Sequence, residues 1–221
     1  MKIYYAVLFL ATSTALLSCS TNKDVESLED RTWTEAERTL LLEGLKRTRD
    51  EVLELVNPLS DEQWYFREDT SHWSIAEVLE HQQVHDQLYY REITVLIQFP
   101  EAGNLLLLRA QGSDEQVLSY GQVTTQNTGK SPWYLEPRGR WCSKRDAINA
   151  FLEGRNSLIK FVESTDKNLR MYVTPSGRGE APMRDLHQLM LISIAHTDRH
   201  IVEIKGVTRH EEFPEGEKKT W

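Results

Sequence analysis

The sequence predicts an all-α protein, a four-helix bundle with a long irregular connection between its second and third helices. Three observations predict it. Four segments of about twenty residues repeat apolar side chains at three- and four-residue intervals, the period of a helix. Most of them begin at a residue able to cap a helix. Most of them end at Pro or Gly, which stop one.

Residues 34–56 place Leu41, Leu45, Val52, Leu55 and Val56 on one stripe, with charges between them. Thr34 followed by Glu37 has the form of a capping box. Asn57-Pro58 ends the segment, because the residue before a proline avoids the helical region. Residues 59–64 read as a short turn or one helical turn. Ser74 and Glu77 form a second capping box and open the second helix. Its broad face carries Ile75, Val78, Leu79, Gln82, His85, Leu88, Tyr89, Val95 and Leu96, and Phe99-Pro100 stops it.

Residues 101–142 are punctuated by glycine and proline, and a structureless loop of that length is unusual inside a compact domain. Residues 104–109 read as a helical turn or short strand. The remainder is expected to wrap the bundle, with Trp133, Tyr134 and Trp141 packed on it. Ser143, with Asp146 three residues on, opens a third helix whose stripe is Ala147, Ile148, Phe151, Leu152, Leu158, Ile159 and Val162. Ala181-Pro182 precedes the fourth helix, expected over residues 183–205, with Gly206 as its stop. Its face carries Leu186, Leu189, Met190, Ser193, His196, Thr197, His200, Glu203 and Ile204. Residues 207–221 read as a charged tail.

Composition narrows the function. The chain has 221 residues, 26 Lys and Arg against 34 Asp and Glu, a net charge of −8, two Cys and 39% hydrophobic residues. The negative balance argues against nucleic acid as a partner, since binding it needs a basic face to displace counterions. No internal stretch reaches the length of a membrane span. Two Cys exclude both a disulfide scaffold and an all-cysteine zinc site.

The first residues read as an address. Met1-Lys2 is a short positive start, residues 3–17 are largely apolar, and Leu16-Leu17-Ser18-Cys19 resembles a bacterial lipobox. On that reading, residues 1–18 are a signal peptide, Cys19 carries the lipid and residues 19–33 are a tether. The expected location is the bacterial cell envelope, on the periplasmic or surface side, with the membrane contacted through the lipid anchor alone. Cys142 is then the remaining thiol.

Seven histidines are present, and two pairs stand four residues apart: His81 with His85, and His196 with His200. On a helix that interval stacks both rings on one face. Random placement gives about 0.2 such pairs in a chain of this length. Taken one at a time, an inward His is explained by an ordinary hydrogen-bond partner. Taken together, the set points to a divalent transition metal, because bundle interiors build such sites from facing helices. Zinc, nickel and iron all suit imidazole, so the sequence does not choose among them. Ser176-Gly177-Arg178-Gly179 lacks the strand and helix context of a phosphate loop, and Arg199 reads as a rim charge with anion binding as its alternative.

Three stretches carry a family resemblance. Trp73-Ser74-Ile75-Ala76-Glu77-Val78-Leu79-Glu80-His81 resembles the start of the second helix in the DinB/YfiT-like superfamily. Ala195-His196-Thr197-Asp198-Arg199-His200-Ile201-Val202-Glu203-Ile204 resembles that family's last-helix signature, and residues 132–141 with Phe151 and Arg155 resemble its middle segment. The likeness spans residues 34–206. It implies a four-helix bundle and a metal triad of His81, His196 and His200. His85 has no counterpart in that triad and stays open as a fourth ligand, a supporting group or a core residue. Glu203 stands where the family often has Gln, three residues after His200, where it can orient a ligand or take a proton as a catalytic group. The resemblance implies a metal-dependent hydrolase or a thiol-dependent transferase acting on a small molecule. A non-catalytic metal- or ligand-binding envelope lipoprotein is the alternative, and a homodimer through helix faces is left open.

Overall fold

Thr34, Ser60, Ser74, Ser143 and Asp185 each accept a hydrogen bond from the backbone N–H three residues on, and each starts a helix. A side chain that satisfies an orphan donor at a helix start fixes where the helix begins. At Thr34, Ser60 and Ser74 the third residue returns the bond, completing a capping box. The computed structural model describes residues 31–110, 112–119, 131–174 and 183–216. Residues 1–18, Cys19, the tether to residue 30 and the 176–179 motif lie outside the described residues.

The helices are α1 (Glu35–Val56), α2 (Asp61–Tyr65), α3 (Ile75–Leu96), α4 (Asn104–Leu107), α5 (Asp114–Ser119), α6 (Lys144–Ser164) and α7 (Leu186–Val207). A 3₁₀ turn at Leu169–Met171 leads into an antiparallel ribbon of β1 (Val173–Thr174) and β2 (Arg184–Asp185), pairing Val173 with Asp185 and Thr174 with Arg184. None of the described helices is long and apolar enough to cross a membrane.

The four long helices do not follow one another around the bundle. α1 packs against α6 and α7, and α3 packs against the same two. Contacts along α1 and α7 rise together, from Gly44 with Ile194 through Arg47 with Asp198 to Glu51 with Lys205, so these helices are parallel. Those of α3 and α7 run oppositely, His81 meeting His200 and Asp86 meeting Ser193. α1 and α6 are antiparallel, Arg38 reaching Thr165 and Arg49 reaching Asn156. α3 and α6 are therefore neighbours pointing the same way. The chain must return the full length of α3, about 33 Å for its 22 residues, before α6 can begin. That return needs at least about ten extended residues, and residues 97–143 provide it with chain to spare. α4 and α5 lie on this return path, and α5 packs on α7.

The apolar core is divided. One cluster, with Trp33, Leu41, Leu45, Ile93, Leu158, Val162, Leu186 and Leu191, fills the end where α1 and α7 start. Another, with Val52, Val56, Trp64, Ile75, Leu79, Phe151, Ile201 and Ile204, fills the end where they finish. Between them lies a buried polar layer: Thr48, His81, Gln82, Asp86, Arg155, Ser193, His196, Thr197 and His200.

Several sequence expectations are corrected. Trp33 is in the core and its indole donates to His187 Nδ1 at 3.1 Å, so the fold begins before residue 34. Trp133 and Tyr134 are 69% and 49% exposed; they pack on each other, not on the bundle, while Trp141 does pack on the core. Val95 faces solvent because the inward stripe of α3 runs through Asp86 and Ile93. The fourth helix starts at Leu186, since residues 184–185 pair in the ribbon and Asp185 is its cap. It continues through Gly206 to Val207, so Gly206 is not its stop. Part of the expected tail is docked: Phe213 packs on the second cluster and Gln63 donates to the Pro214 carbonyl.

Candidate metal centre

α3 and α7 cross within the polar layer, and each turns histidines toward the other. His81 comes from the second turn of α3, His196 and His200 from one face of α7. Their relative exposures are 3%, 4% and 3%. His196 Nε2 lies 3.2 Å from His81 Nε2 and 3.1 Å from His200 Nε2. Three imidazole nitrogens thus converge on one point.

The donor set fits a metal ion. Two metal–nitrogen bonds of about 2.0–2.1 Å at a tetrahedral angle place their nitrogens about 3.3 Å apart. The observed spacings are close to that. A second group, Glu37, Asp114 and His187, is also near enough to share an ion. There the Arg170 guanidinium already lies against Glu37, Asp114 and Asp185, so those carboxylates have their counter-charge.

Each of the three rings is held from behind. His81 Nδ1 donates to the Leu135 carbonyl at 2.8 Å, and His200 Nδ1 donates to Glu203 Oε2 at 2.6 Å. A proton fixed on Nδ1 leaves Nε2 as a bare lone pair. Gln82 lies behind His196, its amide nitrogen 3.3 Å from Nδ1. The carbonyl of Leu135 is delivered by the long connection, which Glu80 pins. The buried Glu80 carboxylate accepts from the backbone N–H groups of Arg138, Gly139 and Arg140 at 2.6, 2.9 and 3.2 Å, and from the Arg140 guanidinium. Gly139 has φ of +68°, a conformation that glycine adopts without strain.

Burial favours the neutral rings. It pushes His81 down to about 4, helped by the charge of His200 and opposed by the Leu135 bond. Burial also depresses His196, strongly, and His200, where the Glu203 bond opposes it. Near neutral pH each of the three rings is therefore uncharged and keeps one bare nitrogen. Burial would raise the Glu203 carboxyl, but the bond and charge of His200 outweigh it and keep Glu203 ionised.

The trio expected from the sequence is thus brought together, with Glu203 on the outer nitrogen of His200. His85 does not join it. Its ring stacks against His196 with centroids 4.0 Å apart, and its buried Nδ1 has no hydrogen-bond partner among the described residues. Burial, then the neighbouring His81 and His200, depress its pKa. Arg199 Nη2 lies 3.5 Å from His200 Nε2 at the rim. Cys142 is an exposed free thiol outside the group. Sequence reasoning did not assign Glu80, Leu135, Gln82 or the buried pair Asp86 and Arg155. The available signal was the polar residues on otherwise apolar faces: Gln82 on the second helix, Ser193 and Thr197 on the fourth.

No curated protein and no solved structure matches the chain. The family model of the DinB superfamily matches residues 44–204, from the third turn of α1 to the last turn of α7 and across all three histidines. With that span covered, the chain belongs to the DinB superfamily.

Proposed function

We propose that this protein is a divalent-metal-dependent hydrolase or transferase acting on a small molecule. His81, His196 and His200 hold the ion, and the chain is tethered to the bacterial envelope through lipid on Cys19. The observation that carries the metal reading is His196 Nε2 standing 3.2 and 3.1 Å from the Nε2 atoms of His81 and His200, with acceptors behind His81 and His200. The lipobox-like Leu16-Leu17-Ser18-Cys19 supports the tether.

A transition ion bound by three imidazoles supplies Lewis acidity and an open position at which a water or thiol loses its proton near neutral pH. The protein's own part is to hold the lone pairs in place. Leu135 and Glu203 fix two rings by their outer nitrogens. Trp73, its ring tilted against His81 with centroids 4.9 Å apart, and the apolar clusters on either side limit access of water. Glu203 stands on the edge of His200 turned away from the other two Nε2 atoms. Its position supports orientation of a ligand more than direct proton transfer. An envelope location favours hydrolysis over a reaction drawing on a cytosolic thiol.

The test is metal content. The chain from residue 20, purified without an affinity nickel column, is expected to hold about one equivalent of transition metal by mass spectrometry, lost in His81→Ala and His200→Ala. Zinc, nickel and iron are supplied in turn, followed by a screen of esters, amides and thiol acceptors. Failure to take up any of these metals overturns the reading. Metal bound without turnover of any substrate class leaves the non-catalytic binder.

A further inference from the structure

We propose that Gln82 is a positioning residue that sets which nitrogen of His196 carries the proton, and thereby how tightly the three-histidine group takes a divalent ion. The inference rests on the metal reading above and goes beyond it, to a residue that touches no ion.

The three ligand rings have different outer partners. A carbonyl behind His81 and a carboxylate behind His200 can only accept, so both rings carry their proton on Nδ1. The partner of His196 is an amide, which can accept or donate. In the structure the amide nitrogen faces His196. Gln82 Nε2 is 3.3 Å from Nδ1 and 3.4 Å from the His196 carbonyl, while Gln82 Oε1 accepts from the Thr197 hydroxyl at 3.1 Å. An amide that donates to Nδ1 leaves the His196 proton on Nε2. There it lies between the bare Nε2 atoms of His81 and His200, at 3.2 and 3.1 Å, and can donate to them, beside the Arg199 guanidinium 3.5 Å from His200 Nε2.

An ion requires the opposite arrangement: a bare Nε2 on His196 and the proton on Nδ1. Turning the amide over provides it. Gln82 Oε1 then accepts from Nδ1, and the amide NH₂ donates to Thr197 Oγ1. Thr197 in turn gives its own proton to the Ser193 carbonyl, 2.9 Å away. Arg155 Nη2 donates to Thr197 Oγ1 in either case. Arg155 is 0% exposed and is held by Asp86 at 2.9 Å, so the hydroxyl has a fixed place. The turn gives up the long contact with the His196 carbonyl and leaves Oε1 facing that oxygen in its place. Gln82 and Thr197 thus form a relay with two satisfied positions, one matching protons among the rings and one matching an ion.

The experiment compares wild type, Gln82→Glu and Gln82→Met. Zinc affinity is measured by competition with a chromogenic chelator. Imidazole ¹⁵N shifts are measured on chelator-stripped and zinc-loaded protein. A carboxylate only accepts, so Gln82→Glu is expected to tighten zinc about ten-fold; Met offers neither bond and is expected to weaken it about ten- to a hundred-fold. In wild type the His196 proton is expected on Nε2 when stripped and on Nδ1 when loaded. A residue that merely fills space would move both affinities in the same direction, and that result overturns the proposal. So does a His196 proton on Nδ1 in stripped wild type. If Gln82→Glu does not fold, Gln82→Met and the wild-type shifts still decide. A wild type that takes no zinc overturns the metal reading, and the stripped-protein shifts separately test the role of the amide.

Discussion

The pair Asp86 and Arg155 at the centre of the bundle allows a sharp test of what the polar layer costs. Both side chains are buried, at 2% and 0% exposure, with Arg155 Nε 2.9 Å from Asp86 Oδ2. Ser193 donates to the other Asp86 oxygen at 3.0 Å, while Thr197 and Thr48 receive the guanidinium. Arg155→Met leaves a buried carboxylate with one hydroxyl as its partner. Asp86→Leu leaves a guanidinium that cannot shed its charge. Removing one member of a buried pair costs about 3–5 kcal/mol, because desolvation of the survivor is no longer compensated. Replacing both, as Asp86→Leu with Arg155→Met, joins the two apolar clusters through the layer and is expected to cost close to nothing. Urea unfolding measures it. With a slope of about 2 kcal/mol/M, each single variant shifts the midpoint down by about 2 M and the double variant restores most of it. A double variant as unstable as the sum of the singles, or singles that lose less than about 1 kcal/mol, would refute the reasoning.

Three further outcomes are expected. His81 titrates near 4 when folded, because of burial first and then His200, and near 6.5 when unfolded. As pH falls the unfolded chain takes up the proton first. Stability is thus full above about pH 6.5 and falls toward pH 4 by roughly 3 kcal/mol from His81 alone, with His196 and His200 adding in the same direction. Urea midpoints measured in chelator that stay level from pH 7 to 5 contradict it. At Gly44 an added Cβ would lie 2.7 Å from Ile194 Cδ1, where α1 and α7 approach closely. Gly44→Leu is expected to lose about 2–3 kcal/mol by thermal or urea unfolding, and Ile194→Ala in the same chain to recover part of it; additivity of the two would argue against a steric cause. Glu203→Ala removes the acceptor behind His200 and is expected to weaken zinc about ten- to a hundred-fold while Glu203→Gln restores part of the affinity, and equal loss in both would show that charge rather than the hydrogen bond matters.

The sequence was legible where its signals are local. Capping at Thr34, Ser74 and Ser143 placed three helix starts, because a cap acts within one turn. The apolar period named most of the core, and the four-residue spacing of His196 and His200 put both on one face. Less was legible where partners come from afar. Val95 fits the apolar period of its helix, yet the inward face is set by Asp86 meeting Arg155, a contact between separate helices. Trp133 and Tyr134 read as buried because aromatics usually are, but the loop that carries them is held by Glu80 through its backbone.

What the sequence determined by itself is the class of the fold, the starts of three long helices and two histidine pairs, since each follows from intervals within one helix or from motifs a few residues long; the choice of His81, His196 and His200 came with the family resemblance. The tertiary structure alone decided the order of helices around the bundle. α3 and α6 lie side by side and parallel, which requires residues 97–143 to include a return along the bundle, and helical periodicity carries no information about direction. The tertiary structure also decided what stands behind each histidine. Leu135 comes from that return segment, Glu203 from the next turn of the same helix, and Gln82 from the helix opposite. A ring's outer hydrogen bond depends on which backbone or side chain reaches it across space, and only packing fixes that.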